Sequence, residues 1–284
     1  MALAAVNKPN FFILGAAKSG TTSLYFYLKQ HPEIFMTAVK EPSFFCNGFQ
    51  VIKNPIHYFR LFEPVTTEKA IGEASHVYMS NPPTARVLKG LFPDAKFIVI
   101  LRNPAERAYS LYHHMRREGL EHSKTFEEAL DLEEKRLNSE SFRNHCPQYL
   151  YNYMYFRSGL YGSQLQRYFS LFGQKAFHVL TLDMLETDPI CEVQKIYQFL
   201  GVSPDFSPSL ALHNEGTMTA RIPSLQYLAR KINKPRMLRD ASLRLMNAIN
   251  MSPTEAMNPE TRENLLQRYS NDLKVLHKLT GIRF

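Results

Sequence analysis

The stretch FFILGAAKSGTTSLYFYLK, residues 11–29, decides the fold of this chain. It opens with an apolar run that is broken at Gly15 and again at Gly20. The apolar residues that follow the second glycine recur at helical spacing. We therefore predict a strand, a loop bracketed by two glycines and a helix, in that order.

The loop, GAAKSGTTS at residues 15–23, has the composition of an anion-binding site. A glycine-bracketed turn between a strand and a helix directs backbone N–H groups and the positive end of the helix at an anion. A Walker A loop carries its lysine directly after the last glycine, whereas here Thr21 follows Gly20 and Lys18 lies inside the loop. One lysine with hydroxyls and backbone donors can hold a sulfuryl group, which carries less charge than a triphosphate. A tight turn that merely requires small residues is the alternative interpretation.

Two further apolar runs, AKFIVIL at 95–101 and AFHVLTL at 176–182, indicate more of the sheet. Continuous β-branched runs are typical of strands buried on both faces of a parallel sheet. A weaker strand is predicted over 69–72. Strands that alternate with helices predict an α/β fold, a doubly wound parallel sheet with helices on both faces. The predicted helices that follow these strands, or lie between them, cover about 104–115, 125–137, 160–169, 190–200, 224–232 and 260–279.

The segment LRNPAERAYS, residues 101–110, supplies a second candidate for anion binding. Arg102 lies at the carboxyl end of a predicted strand, the edge where ligands of doubly wound sheets bind. Its planar guanidinium suits bidentate phosphate recognition, and Ser110 on the following helix offers a hydroxyl donor. An ordinary surface arginine is the alternative.

Together these two elements resemble the sulfotransferases that use 3′-phosphoadenosine 5′-phosphosulfate (PAPS). The pattern HPEIFMTAVKEPSFF, residues 31–45, is similar to the glycan-type and bacterial branches, including sulfotransferase domains of polyketide assembly lines. The resemblance continues to the carboxyl-terminal pattern YSNDLKVLHKLTGIRF. It implies a P-loop-like phosphosulfate-binding loop and a single domain over residues 1–284.

The resemblance also implies how the donor is held. The segment Lys18 to Ser23 would grip the 5′-phosphosulfate, and Arg102 with Ser110 would grip the 3′-phosphate. GLYGS at 159–163 looks like the segment whose tyrosine packs near the adenine, although a helical tyrosine is more often part of a core. The Arg-Lys-Gly loop of the cytosolic branch is missing, and Arg221 is the nearest basic residue. The predicted donor-binding residues are Lys18, Ser19, Gly20, Thr21, Thr22, Ser23, Arg102, Ser110, Tyr161 and Arg221.

An acceptor hydroxyl needs a base within hydrogen-bond reach before it can act as a nucleophile. In glycan-type relatives a carboxylate occupies the place of Glu41 in KEPSFF, and we rank this residue first. His76 in GEASHVY is the rival, since cytosolic relatives carry a catalytic histidine at a similar position and imidazole suits neutral pH. Glu73 is expected to line the same site. Lys18 would neutralise the charge that develops on the leaving phosphate.

The predicted reaction is direct in-line sulfuryl transfer from PAPS to a hydroxyl of a glycan, lipid, metabolite or carrier-bound acyl chain, leaving adenosine 3′,5′-bisphosphate (PAP). No metal is expected, because the sequence shows no metal-ligand spacing. An acyl carrier protein is a candidate partner. The alternatives are a small-molecule or nucleotide kinase with a degenerate phosphate loop, and a non-catalytic nucleotide-binding module.

Composition narrows the possible partners and the cellular location of the chain. The 284 residues include 34 Lys and Arg against 26 Asp and Glu, and the resulting net charge of +8 favours a polyanionic partner. Dispersed basic residues and the lack of an aromatic-basic motif argue against nucleic acid. Three scattered cysteines, no signal peptide and no membrane-spanning run predict a cytoplasmic location. The polar stretch 203–224, rich in proline, is predicted to be a loop that covers the site as a lid.

Overall fold

The computed structural model describes residues 7–210, 218–231, 243–244 and 246–284. These residues form two compact units. The first contains the described residues of Met1–Asn103, Leu160–Asn214 and Asn271–Phe284, and the second those of Pro104–Gly159 and Glu215–Ser270. This division does not test the single domain over 1–284, which stays a prediction.

The first unit is built on a five-stranded sheet with the order β2-β3-β1-β4-β5. Every neighbouring pair in it is parallel. The predicted α/β class, with a parallel sheet between helices, is therefore confirmed. The strands are β1 (Phe11–Gly15), β2 (Ile34–Met36), β3 (Ala70–Ala74), β4 (Lys96–Leu101) and β5 (Phe177–Thr181).

The helices occupy the connections predicted for them, and several short ones are additional. In chain order they are α1 (Thr21–Lys29), α2 (Pro55–Arg60), α3 (Val77–Ser80), α4 (Thr84–Leu91), α5 (Pro104–Arg117), α6 (Phe126–Asn138), α7 (Glu140–His145), α8 (Tyr161–Phe172), α9 (Leu182–Thr187), α10 (Pro189–Leu200), α11 (Pro223–Lys231) and α12 (Pro259–Thr280). Residues 246–250 are also helical. Short 3₁₀ helices span Leu150–Tyr153, Arg157–Gly159 and Gln174–Ala176.

Both faces of the sheet are buried, which explains why its central strands are continuously apolar. On one face Phe12, Phe97 and Phe177 stand opposite one another in register, with ring centroids 5.9 Å and 4.8 Å apart. On the other face Ile13 and Ile98 lie in the core with residues of α1 and α10. This alternation follows from the two-residue period of a strand.

The sheet has a switch point between its neighbouring strands β1 and β3. Helix α1, which follows β1, packs on the face of Ile13. Helix α3, which follows β3, packs on the opposite face, where its Tyr78 ring lies 6.4 Å from that of Phe12. Helices that diverge in this way open a crevice beyond the carboxyl ends of the two strands, and ligands of such sheets bind there.

The second unit contains an antiparallel strand pair, β6 (Met218–Ala220) and β7 (Met251–Pro253). Strand β6 and the start of α11 at Pro223 correct the prediction of a loop that extends through residue 224. The partner of β6 lies about thirty residues further along the chain, so local sequence gave no indication of the pairing. Residues 211–217 of the predicted lid lie outside the described residues, and the lid stays a prediction.

Candidate active site

The glycine-bracketed loop leaves the sheet through an irregularity at the end of β1. The register with β4 shifts between Ile13 and Gly15, so that β1 holds one extra residue, and the Ala16 N–H donates to the Ile100 carbonyl over 2.7 Å. Gly20 then begins α1 in the left-handed conformation, at φ 89°, without a side-chain cap. Its Cα also approaches the next layer closely, because a Cβ there would lie 2.8 Å from Leu182 Cδ1. The left-handed backbone favours glycine here, and with any other residue the end of the Leu182 side chain would also have to move.

The loop presents several polar side chains beside this uncapped helix start. Ser19 is fully buried, and its Oγ has no hydrogen-bond partner among the described residues. Thr21 is also buried, while Thr22 and Ser23 are half-buried. Lys18 is half-buried at φ 64°. A buried hydroxyl without a partner is costly, which indicates that a ligand completes this loop.

The KEPSFF loop, residues 40–45, is held against the end of β3 by three hydrogen bonds. The Glu41 N–H donates to the Ala74 carbonyl over 2.9 Å. The Ser43 N–H donates to Ser75 Oγ over 3.0 Å, and the Phe45 N–H donates to the Tyr78 hydroxyl over 3.3 Å. Because β3 adjoins β1, this attachment brings the loop to the crevice.

Glu41 and His76, 35 residues apart in sequence, meet at this edge. Glu41 Oε2 accepts from both the His76 backbone N–H and His76 Nδ1, each over 2.8 Å, while Lys40 Nζ lies 2.6 Å from Oε1. Burial would raise the pKa of Glu41, but the His76 and Lys40 contacts lower it to about 2. The ionised carboxylate can only accept, so His76 Nδ1 carries the proton, and Nε2 is the acceptor of the neutral ring.

The glycine-bracketed loop that contains Lys18 also lies next to His76. A Cβ on Gly15 would lie 3.4 Å from the His76 carbonyl oxygen and 3.5 Å from Met79 Cβ. The ends of β1 and β3 therefore bring the Lys18 loop and the Glu41–His76 pair to one crevice.

Backbone strain marks the same place. Among the described residues, the non-glycine residues with positive φ are Lys18 at 64°, Glu41 at 62° and Ser43 at 54°. This region disfavours residues with a Cβ by roughly 1–2 kcal/mol each. Residues held in such conformations cluster at functional sites, where the surrounding contacts compensate for them.

Glu73, on β3, lies behind the KEPSFF loop and is fully buried. Neither of its carboxyl oxygens makes a hydrogen bond of good geometry with a residue that the structure describes, although the Tyr78 and Tyr58 hydroxyls are near enough to influence its pKa. Burial raises the pKa of Glu73 to about 8, opposed by those tyrosines and reinforced by the charge of Glu41. Glu73 is therefore mostly protonated at neutral pH.

Arg102 follows β4 in the first unit, as predicted. It is half-buried, and its guanidinium forms no hydrogen bond or ion pair with any residue that the structure describes. The buried Tyr161 at the start of α8 donates its hydroxyl to the Arg102 carbonyl over 3.1 Å. This bond connects the GLYGS segment to the end of β4, whereas a contact of Tyr161 with adenine stays a prediction.

The other two residues predicted to contact the 3′-phosphate of PAPS, Ser110 and Arg221, lie in the second unit. Ser110 is half-buried on α5. Arg221 is exposed between β6 and α11, where its N–H donates to the Asn250 carbonyl over 2.8 Å. Their roles toward a 3′-phosphate stay predictions.

Sequence reasoning did not assign a role to Lys40, Ser75 or Tyr78. Lys40 is adjacent to Glu41 in KEPSFF, and a lysine directly before a candidate base is a recognisable indication. Ser75 and Tyr78 act through the hydrogen bonds that hold the loop, which only the folded structure reveals. Over the described residues there is no group of three or more His, Cys, Asp and Glu that could hold a metal ion. None of the described helices is long and apolar enough to cross a membrane.

Comparison with protein families gives a match to the model described as "Sulfotransferase domain" over residues 8–219. The chain is 30% identical over 207 residues to the human bifunctional heparan sulfate N-deacetylase/N-sulfotransferase 2, a match that covers 69% of this chain and 22% of that protein. It is 39% identical over 109 residues to the membrane-associated sulfotransferase kil1 of Dictyostelium discoideum, covering 37% and 22%. The chain thus spans about a fifth of the length of these curated relatives.

Solved structures give more complete matches. The sulfotransferase of Alicyclobacillus acidocaldarius is 32% identical, with a TM-score of 0.76 and 98% of each chain covered. Mouse sulfotransferase SULT7A1 complexed with PAP shares the fold, with a TM-score of 0.51 at 15% identity over 97% of this chain and 88% of that one.

Proposed function

This chain belongs to the sulfotransferase family, and from that premise we propose that it transfers a sulfuryl group from PAPS to an acceptor hydroxyl by direct in-line displacement. The supporting observation is the crevice between β1 and β3. There an uncapped helix start, a lysine and a buried hydroxyl that no described residue pairs with adjoin a carboxylate–imidazole pair.

The residues of the loop fit a phosphosulfate. Ser19 Oγ needs a partner, the first N–H groups of α1 lack a side-chain cap, and Lys18 adds a positive charge. Arg102, without an ionic partner among the described residues, offers a bidentate donor for a second phosphate. PAPS, when bound, supplies the activated sulfuryl group. Lys18 would stabilise the negative charge that develops on the leaving phosphate.

The hydrogen bonds at Glu41 favour a division of labour within the candidate base pair. The Glu41 carboxylate already accepts from His76 and Lys40, and through its bond to Nδ1 it holds the His76 ring and fixes its tautomer. We assign proton abstraction from the acceptor hydroxyl to His76 Nε2, with Glu41 as the residue that positions it. This assignment reverses the ranking from sequence, which placed Glu41 first.

Donor binding is tested by calorimetry with PAP. We expect saturable binding to the intact chain, at least tenfold weaker binding to Lys18→Ala, and unchanged binding to Lys53→Ala, an exposed lysine that serves as control. Turnover of PAPS should fall by about 10²-fold in Lys18→Ala, with an unchanged unfolding midpoint. Absence of PAP binding to the intact, folded chain would refute the proposal.

The assignment of the base is tested by chemical rescue. Removal of the ring in His76→Ala should lower kcat by about 10²-fold or more, and added imidazole should restore part of it. Glu41→Gln should also lower kcat. Imidazole should not rescue this variant, because the His76 ring is still present but no longer correctly oriented. Full activity of His76→Ala, together with a loss of activity in Glu41→Gln, would instead favour Glu41 as the base.

The acceptor class is proposed more broadly, as a hydroxyl of a glycan, lipid, metabolite or carrier-bound acyl chain. An acyl carrier partner, metal independence and a cytoplasmic location belong to the same proposal. A screen of these acceptor classes with radiolabelled PAPS, repeated with EDTA, tests the acceptor class, the carrier partner and the metal independence. Sulfuryl transfer should persist with EDTA, whereas phosphoryl transfer from ATP that stops with EDTA would favour the kinase-like alternative. PAP binding without transfer to any acceptor would favour a non-catalytic nucleotide-binding module.

A further inference from the structure

The second unit exposes four large aliphatic side chains close together. Leu225 and Leu228 lie on α11, Ile222 directly precedes that helix, and all three are exposed. The fourth is Ile249, which is 65% exposed. Single apolar residues at a surface are ordinary, whereas a contiguous group marks a place where a partner binds. We call these four residues the Leu225 face.

Helix α11 contributes most of the Leu225 face. Its residues Pro223, Gln226 and Ala229 are buried, so this side of the helix is already packed against the unit. Leu225 and Leu228 are three residues apart on the other side, where a helix of a globular protein normally carries polar side chains. The helix therefore has an exposed apolar stripe in addition to its packed side.

The helix that ends at Asn250 contributes the rest and is fastened to the start of α11. The buried Asn250 donates through Nδ2 to the Ile222 carbonyl and accepts at Oδ1 from the Ile222 N–H, each over 2.9 Å. Gln226 Nε2 donates to Asn247 Oδ1 over 2.7 Å. These bonds bring Ile249, the neighbour of Asn250, beside the first turn of α11. The four aliphatic side chains thus belong to one surface.

The charge around the Leu225 face is positive. The charged residues that the structure describes within 218–254 are all basic: Arg221, Arg230, Lys231 and Arg244. Glu118 neutralises Arg230 over 2.7 Å, whereas Lys231 and Arg244 are exposed and form no ion pair with any described residue. In the sequence, residues 221–249 hold seven of the 34 Lys and Arg but one of the 26 Asp and Glu. Most of the net charge of +8 therefore comes from this stretch.

The combination of aliphatic and cationic side chains favours one class of partner. A helix that exposes leucines beside lysine and arginine is typical of proteins that lie on an anionic membrane. The aliphatic side chains enter the boundary between headgroups and acyl chains, and the cations pair with headgroup phosphates. An acidic glycan would match the charge but offers the leucines no apolar contact. An apolar groove of a protein would match the leucines but has no need of the charge.

From these observations we propose that the Leu225 face binds the surface of a bilayer that contains anionic lipids. Its four aliphatic side chains enter the lipid, while Lys231 and Arg244 contact the headgroups. Arg221 is left out of this role, because it is a predicted contact of the donor. The inference is independent of the proposed sulfuryl transfer, in which none of the residues assigned to the lipid takes part.

Co-sedimentation with vesicles tests the binding. We expect the full chain to bind saturably to phosphatidylcholine vesicles that contain about 30% phosphatidylserine, and about tenfold more weakly or less to pure phosphatidylcholine. Leu225→Ser combined with Leu228→Ser should weaken binding to the anionic vesicles about tenfold or more. Val87→Ser combined with Leu91→Ser is the matched control, because it removes two exposed aliphatic side chains from α4 and should leave binding unchanged.

The cationic part is tested by charge reversal. Lys231→Glu combined with Arg244→Glu should lower binding to the anionic vesicles to the level of pure phosphatidylcholine. Lys53→Glu combined with Lys175→Glu changes the net charge of the chain equally at two other exposed lysines and should have a much smaller effect. An unchanged unfolding midpoint and an unchanged PAP affinity show that each variant is folded.

A fluorescence measurement reports insertion directly, in variants that keep both leucine-face cations. The chain has no tryptophan, so Leu228→Trp provides a single emitter within the Leu225 face. On binding to anionic vesicles its emission should shift to shorter wavelength and be quenched by brominated lipid, whereas that of Leu91→Trp should do neither.

The proposal is overturned if the intact chain does not bind the anionic vesicles. It is also overturned if the two serine exchanges at Leu225 and Leu228 leave vesicle binding unchanged, or if Leu228→Trp stays in water when the chain binds. Binding to heparin that the charge reversal weakens, combined with either of these last results, would assign the surface to an acidic glycan instead.

Discussion

At the scale of single residues, two carboxyl groups near the crevice have opposite protonation states. Glu41 receives three hydrogen bonds from Lys40 and His76, and its pKa falls to about 2. Glu73 is fully buried, its carboxyl group has no well-formed hydrogen bond within the described part of the chain, and its pKa rises to about 8. Environments that separate two like groups in this way are typical of sites with distinct acid and base roles.

The raised pKa of Glu73 predicts a pH-dependent stability. Its ordinary pKa of 4.5 applies to the unfolded chain, so the folded state binds the extra proton between about pH 4.5 and pH 8. Protonated Glu73 thus contributes stability that is complete below pH 4.5 and lost as the pH rises to 8. Relative to Glu73→Gln, the free energy of unfolding of the natural chain should fall by roughly 3–5 kcal/mol over this interval. Denaturant unfolding at a series of pH values measures the difference.

Glu63→Gln provides the matched control, because the side chain of Glu63 is largely exposed. Its difference from the natural chain should stay nearly constant with pH. A flat difference for Glu73→Gln as well would show that Glu73 titrates in the folded state as it does in the unfolded one.

At the scale of elements, the connection between β1 and α1 depends on Gly20. Gly20→Ala should lower the free energy of unfolding by roughly 1–2 kcal/mol, because φ 89° is unfavourable for alanine and the new Cβ would displace Leu182. PAP affinity should fall too, since the first turn of α1 moves with the loop. Thermal unfolding and calorimetry measure the two effects.

Gly90→Ala is the control for that substitution. Gly90 lies in α4, and a Cβ there would have no atom of the described residues within 4 Å. This exchange should stabilise the chain by about 0.5–1 kcal/mol and leave PAP binding unchanged. If Gly20→Ala and Gly90→Ala had the same effects on unfolding and on PAP affinity, the role given to Gly20 would be wrong.

The pattern of elements shows what sequence can predict. Strands β1 and β4 could be predicted because burial on both faces makes them continuously apolar, whereas the edge strand β5 was indicated by a mainly apolar run although it is only partly buried. Strand β2, Ile34–Met36, was missed because three residues are too few to display a pattern. The site was predicted less completely, since the Glu41–His76 contact joins residues 35 apart and depends on a left-handed backbone at Glu41. No local pattern encodes that combination.

The structure also gives the carboxyl-terminal pattern YSNDLKVLHKLTGIRF a structural role. Asp272 on α12 accepts from the Gly162 and Ser163 N–H groups over 2.7 Å and 2.9 Å. It therefore caps α8, whose own preceding residue, Leu160, offers no side-chain cap. Two segments that are distant in sequence, GLYGS and the carboxyl-terminal pattern, are thus parts of one structural feature.

At the scale of the whole molecule, the net charge of +8 should accelerate capture of a polyanion. Raising the ionic strength from about 0.01 M to about 0.15 M shortens the screening length from about 30 Å to about 8 Å. The association rate constant of PAP should fall about tenfold over this range, and its dissociation rate constant much less. Stopped-flow mixing measures both, and an association rate constant that ignores salt would contradict this expectation.

The left-handed residues around the crevice have a consequence for laboratory selection of hardier variants. Libraries screened only for survival at high temperature should accumulate glycine or asparagine at Lys18, Glu41 and Ser43, since either exchange relaxes the main chain. At Lys18 and Glu41 such an exchange removes an ammonium group and a carboxylate to which the proposed function gives roles. At Lys18 and Glu41, selection for thermal stability and selection for turnover therefore favour different residues, and only a screen that rewards both will keep the lysine and the glutamate.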